Sequence, residues 1–235
     1  MTTKEILDQL KSYGNDSTKK VLMKHGAKEP FYGVKVEDMK KIQKKIKKDY
    51  KLSMELYNSG NSDAMYLAGL IADESKMTKK DIQSWAEKAY WYMLSEYTVP
   101  WVAAESNFGH ELAIEWIDSK KENIAAGGWS TLSWLMASKP DTEMDIKELK
   151  LLLARVEKTI HQSPNRVRHT MNGFIISAGS YITALTDTAI ATAKKIGTIK
   201  VDMGGTACKV PDAISYIAKV KERGNIGKKR KTVRC

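Results

Sequence analysis

The stretch Lys35–Tyr50, KVEDMKKIQKKIKKDY, sets Val36, Met39, Ile42, Ile46 and Tyr50 three or four residues apart, with lysines filling most of the rest. That spacing is one stripe of a 3.6-residue helix and shows none of the alternation of a strand. The same pattern recurs in segments such as KEILDQLKSYG, KKDIQSWAEKAYWYML, MDIKELKLLLARVEKTIHQ and VPDAISYIAKVKERG. Breakers such as SGNSD, SKPDT and QSPN separate them. Only IKVDMGG, residues 199–205, looks extended, and it is too short and glycine-bound to nucleate a sheet. The chain is therefore expected to be all-α.

About a dozen short helices in series suggest a solenoid of helix pairs. The segments AMYLAGLIADE (64–74), GGWSTLSWLMASK (127–139) and VRHTMNGFIISAG (167–179) each set small residues beside a tight apolar core. Their intervals suit HEAT-type units of about 40 residues. A compact helical bundle is the alternative that this pattern leaves open.

With 235 residues and 42% hydrophobic composition the chain can bury a sizeable core. No apolar run approaches the roughly 18 residues of a membrane span, and MTTKEILDQLKSYG lacks a signal-peptide core. Cys208 and Cys235 make neither a ligand cluster nor a disulfide framework, and the histidines lack metal-ligand spacing. A cytoplasmic monomer without metal, cofactor or membrane association is expected. The net charge of +11 is clustered. Lys35–Lys51 holds eight lysines against three acids, and Lys219–Cys235 holds eight cations against Glu222 alone, leaving the remainder near neutral. Such clustering points to a polyanion, nucleic acid above all. No phosphate-binding GxxxxGK[ST] and no strand-linked GxGxxG occurs, and MGGTACK (203–209) reads as a turn.

One stretch raises a chemical question. In VPWVAAESNFG (99–109), Pro100 suits a helix start, with Thr98 or Val99 as cap. Trp101 and Glu105 would then share one face near that helix's N-terminus. The pair is either core packing beside a solvated acid or an aromatic plate working with an anion. Trp129 and Trp134 read as core, because Gly127 and Gly128 let a neighbouring helix approach closely. Trp85, Trp91 and Trp116 read as packing between repeats. Arg166 and Arg168 lie at a helix start, where cations oppose the dipole but suit phosphate contact.

Taken in order, FYGVKVEDMKKI, DAMYLAGLIADE and VPWVAAES resemble the bacterial DNA-alkylation-repair glycosylases built from HEAT-like repeats, the AlkC/AlkD type. The resemblance covers residues 5–197 and implies a right-handed α-solenoid whose basic concave face holds duplex DNA. It implies excision of cationic N3- or N7-alkylpurines by a tryptophan and an acid four residues later, assisted by an arginine and a second tryptophan. The first two positions fall on Trp101 and Glu105, a Glu in place of Asp. Trp129 matches the tryptophan that precedes the arginine, but Ser130, Thr131 and Leu132 follow it, so the arginine is missing. Arg166 or Arg168 would have to supply the cation. The second aromatic position falls on Phe174, and the resemblance thereby implies DNA contact by Trp101, Trp129, Phe174, Arg166 and Arg168, against the core reading that the residues alone give Trp129.

Residues 1–197 are thus expected to form the repair-type domain, and 198–235 an extension with one helix and a basic tail. Lys40, Lys44, Lys48, Lys228, Lys229, Arg230 and Lys231 are the expected phosphate contacts. A carboxylate at Glu105 could stabilise the oxocarbenium-like sugar as the glycosidic bond breaks. Two other functions stay open: a non-catalytic binder of DNA structure on the same scaffold, and a protein–protein adaptor.

Overall fold

The computed structural model describes residues 1–234; Cys235, read above as outside any cluster, lies outside the described residues. Among the described residues thirteen α-helices follow one another and there is no strand. They are α1 Thr3–Ser12, α2 Asp16–Lys24, α3 Val36–Ile46, α4 Tyr50–Asn58, α5 Ser62–Ile71, α6 Lys79–Lys88, α7 Val99–Glu105 and α8 Gly109–Trp116. Then come α9 Glu122–Ser138, α10 Ile146–Thr159, α11 Asn165–Tyr181, α12 Thr186–Ile196 and α13 Ala213–Glu222. A π-helical turn, Met93–Thr98, runs directly into α7. Among the described residues no single helix is long and apolar enough to cross a membrane.

Most boundaries follow from short polar residues placed before apolar runs. Thr2 with Glu5 and Thr78 with Asp81 form reciprocal capping boxes, and Asn15, Asn61, Asp145 and Asp212 cap their helices through the side chain. The opening stripe is cut short for the same reason. Asp49 accepts from the backbone N–H of Leu52 at 3.0 Å and so starts a new helix. α3 therefore stops at Ile46, and Tyr50, expected on its stripe, belongs to α4.

Consecutive helices pack as pairs, α4 on α5, α8 on α9 and α11 on α12, in a solenoid whose two longest helices, α9 and α11, lie side by side at its centre. Gly128 allows the close approach of α8: a Cβ there would meet the Ile117 nitrogen at 2.7 Å and the Ala113 oxygen at 2.9 Å. Two apolar clusters result, one built mainly from α1 to α8 and one from α7 to α13. They meet at α7, where Ala103 joins the first and Ala104 the second, and half-buried Trp134 packs on both.

The segment after residue 197, expected as an extension, folds back onto this body. Residues 199–212 form a loop, and α13 lies on α11 and α12 with Ile217 fully buried. The last residues then cross the molecule, and Val233 is buried in the N-terminal cluster.

Candidate functional site

Trp101 and Glu105 share α7, but not near an N-terminus. α7 continues from the π-helical turn, so neither Thr98 nor Val99 caps it, and the Thr98 hydroxyl donates to the Met93 carbonyl at 3.0 Å. Glu105 is the last residue of α7, the end where the helix dipole disfavours an anion. Trp101 is only 3% exposed, its ring edge-on to those of Tyr66, Tyr97 and Trp134, and its indole nitrogen makes no hydrogen bond among the described residues. The expected DNA-facing plate is a core residue, because three aromatic neighbours enclose it.

Glu105 does meet a cation, from a source the sequence did not suggest. The Arg234 Nε lies 2.8 Å from one carboxylate oxygen of Glu105. The other oxygen accepts from the Thr232 hydroxyl at 3.0 Å and the Val233 N–H at 3.4 Å. The guanidinium of Arg234 also donates to the Ala72 carbonyl and to Glu74, each at 2.6 Å, and its side chain is 6% exposed. Burial pushes the Glu74 carboxyl up, but the hydrogen bond from Lys48 and the charges of Arg234 and Lys48 outweigh it and hold the pKa below the usual value.

The rest of the tail is equally engaged. The Gly227 N–H donates to Ser180 at 2.9 Å, and the Arg230 N–H to Ala137 at 2.8 Å. Lys229 reaches the Met136 carbonyl at 2.8 Å and Asp141 at 2.7 Å. The Arg230 guanidinium stands 5.5 Å over Trp134. Of the four tail cations expected on phosphate, Lys228 and Lys231 stay exposed without an ion pair among the described residues, whereas Lys229 is anchored in the fold. The basic tail is thus tied to the body: carbonyls at the ends of α9 and α11, left without helical partners, receive it.

Arg166 does not serve Glu105 either. It makes a two-pronged pair with Glu96 on the π-helical turn, both contacts at 2.6 Å, and its guanidinium lies 4.7 Å over Tyr92. Burial works against its charge, but the hydrogen bonds and charge of Glu96 prevail and raise the pKa. The Glu96 side chain is 2% exposed. Burial, with the nearby Glu96 charge, also raises the Tyr97 hydroxyl, and burial first of all pushes Tyr92 up to about 12. Glu96, Tyr97, Trp134, His169, Tyr181 and Arg230 line a cleft of about 270 Å³. This aromatic cleft was not foreseen. Its one signal in the sequence was an acid, Glu96, inside the aromatic run YWYMLSEYTVPW.

Trp129 and Phe174 are fully buried and pack edge to face, 5.1 Å between ring centres. As residues expected on DNA they are corrected to core, since α9 and α11 press together there. Trp85, Trp91 and Trp116 are buried as expected for packing between repeats. Arg168 is half-buried beside the loop of residues 199–210. Lys40 is half-buried on α3, while Lys44 and Lys48 are exposed and line a wider cleft of about 770 Å³ with Glu105 and Arg234. Among the described residues no group of three His, Cys, Asp or Glu side chains is placed to hold a metal ion.

The comparisons agree with this architecture. Residues 6–217 match the family described as DNA alkylation repair enzyme. The uncharacterized protein Lin0241 of Listeria innocua is 35% identical over 232 residues, 96% of this chain and all of that one. The uncharacterized protein Lmo0209 of Listeria monocytogenes is 35% identical over 230 residues, 95% of this chain and 99% of the relative. A solved structure, 38% identical and covering both chains completely, superposes with a TM-score of 0.93. It is described as representing a new family of proteins related to the HEAT-like repeat DNA glycosylases, with affinity for branched DNA structures. With a HEAT-like repeat solenoid and a family match over nearly its whole length, the chain belongs to the DNA alkylation repair enzyme family.

Proposed function

We propose that this protein binds branched DNA as a structural ligand and leaves the bases in place. The supporting observation is the condition of Glu105: Arg234, Thr232 and Val233 occupy both of its oxygens. Excision of a cationic alkylpurine calls for a carboxylate free to face the sugar as positive charge develops there. A carboxylate already neutralised by a buried guanidinium is poorly suited to that work, and Trp101 beside it is enclosed. Binding itself needs only the clustered positive charge, because phosphate contacts supply most of the affinity. The affinity of the similar solved protein for branched structures favours a junction over a plain duplex.

The test uses the full chain with a labelled four-way junction, a duplex and a single strand of matched length. Expected is tighter binding of the junction, weakening steeply with salt, and no release of 3-methyladenine or 7-methylguanine from alkylated DNA. Release that depends on Glu105 would establish the glycosylase reading instead. Absence of binding to any DNA at low salt would leave the adaptor.

A further inference from the structure

We infer that the cleft between the end of α3 and the end of α9 grips the phosphodiester backbone of one DNA strand, with Lys47 as its anchor. The inference rests on the DNA-binding reading above and assigns it a place. The cleft, about 770 Å³, is lined by Lys44, Lys47 and Lys48 from the α3 side and by Lys139 and Lys231 from the other. Arg234 lies between them, against the two carboxylates that also line the cleft, Glu74 and Glu105. Arg234 and Lys48 together compensate Glu74, Arg234 compensates Glu105, and Lys139 pairs with Glu143, so the cleft's free charge rests on its other lysines. Among the described residues Lys44, Lys47 and Lys231 take part in no ion pair.

A second observation is independent of charge. Lys47 is the one non-glycine residue with positive φ among the described residues, at φ 65 and ψ −116. L side chains rarely adopt that backbone, and a helix end of this kind ordinarily takes glycine. Here its N–H closes α3 on the Gln43 carbonyl at 2.7 Å, and the turn brings both Lys47 and Lys48 to the cleft. Conformational strain kept at one residue, where glycine would relieve it, marks the side chain as the part in use. The ligand class follows from the layout. A small anion needs donors converging on one point. Ammonium groups on two facing walls of an open cleft instead suit a chain of successive phosphates.

The experiment measures unfolding by denaturant and anisotropy of a labelled four-way junction over a salt series, for the full-length wild type and variants. Lys47→Gly is expected to unfold at the same or a higher midpoint, because strain is relieved, while binding about threefold more weakly or worse. The logarithmic salt slope should fall by about 0.7–0.9, one phosphate contact. Lys47→Gly with Lys231→Ala should lose about tenfold and two contacts' worth of slope. Lys150→Ala, on α10 and away from the cleft, should match the wild type. If the wild type binds the junction and both cleft variants keep its affinity and slope, the cleft is not the phosphate site, though the protein still binds DNA. A Lys47→Gly protein less stable than wild type would remove the strain argument and the anchor assignment with it. If the wild type binds no DNA at low salt, the DNA reading itself fails, and the cleft proposal with it.

Discussion

Arg234 stands 2.8 Å from Glu105 and 2.6 Å from Glu74, so a residue at the end of the described chain closes on α7 and on the segment just after α5. One guanidinium thereby neutralises two partly buried carboxylates and satisfies the Ala72 carbonyl, left over beyond the end of α5. The tail acts as a strap across the solenoid, and the strap fills the place where an open catalytic acid was expected.

Arg234→Ala should therefore destabilise the protein by about 2–3 kcal/mol, because two carboxylates and a carbonyl lose their shared donor. For a chain of this size that corresponds to a fall in Tm of roughly 4–12 °C. Arg234→Lys should recover only part, since one ammonium lacks the planar fork. Adding Glu105→Gln to Arg234→Ala should restore some of the loss. Thermal unfolding of the four proteins checks this, and an Arg234→Ala midpoint equal to wild type would show that the strap carries no stability.

The strap should also respond to acid. Glu74 is held below its ordinary pKa, its partners outweighing its burial, so the folded state prefers it ionised. Its contribution is then fully present above the unfolded-state value and is lost as pH falls through the lower folded value. Denaturant unfolding of wild type and Glu74→Gln across that acid range should show a gap at neutral pH that closes on acidification. A gap that is constant with pH would contradict the assignment.

The pair of Glu96 and Arg166 offers a cleaner test of a buried ion pair. Glu96→Leu should cost about 3–5 kcal/mol, because Arg166 keeps its charge in a largely enclosed site without a partner. Replacing both by apolar residues of similar volume should bring stability back close to wild type. Denaturation midpoints for Glu96→Leu, Arg166→Met and the double variant carrying both decide the point through their coupling.

Trp101→Ala should cost about 3–5 kcal/mol in stability as a large buried side chain is removed. Trp101→Phe, which keeps an aromatic against Tyr66, Tyr97 and Trp134, should cost less and leave junction affinity unchanged once folding is accounted for. A Trp101→Phe protein that folds normally but binds junction DNA much more weakly would return Trp101 to the interface.

How much was legible in the sequence depends on the range of the interaction. Helix type and most boundaries were local matters. The 3.6-residue stripe and residues such as Thr2, Thr78 and Asp145 act within one turn, so the all-α solenoid and its family resemblance could be read directly. Where a local signal competed with the stripe, as Asp49 did at the start of α4, the boundary moved. The DNA contacts that the resemblance implied for the aromatic positions did not survive, because burial is not local. Trp101, Trp129 and Phe174 look alike on paper whether they face solvent or a neighbouring helix.

The site was decided last and furthest from the sequence. Glu105 and Arg234, or Glu96 and Arg166, are far apart along the chain, and no spacing rule relates them. Their pairing depends on how the helix pairs stack and where residues 227–234 cross them. The sequence by itself determined an all-helical, positively clustered chain, because periodicity and charge are properties of neighbouring residues. Only the tertiary structure decided which acids are neutralised, which tryptophans are enclosed and which lysines keep their charge, because burial and ion pairing are set by segments that meet only after folding.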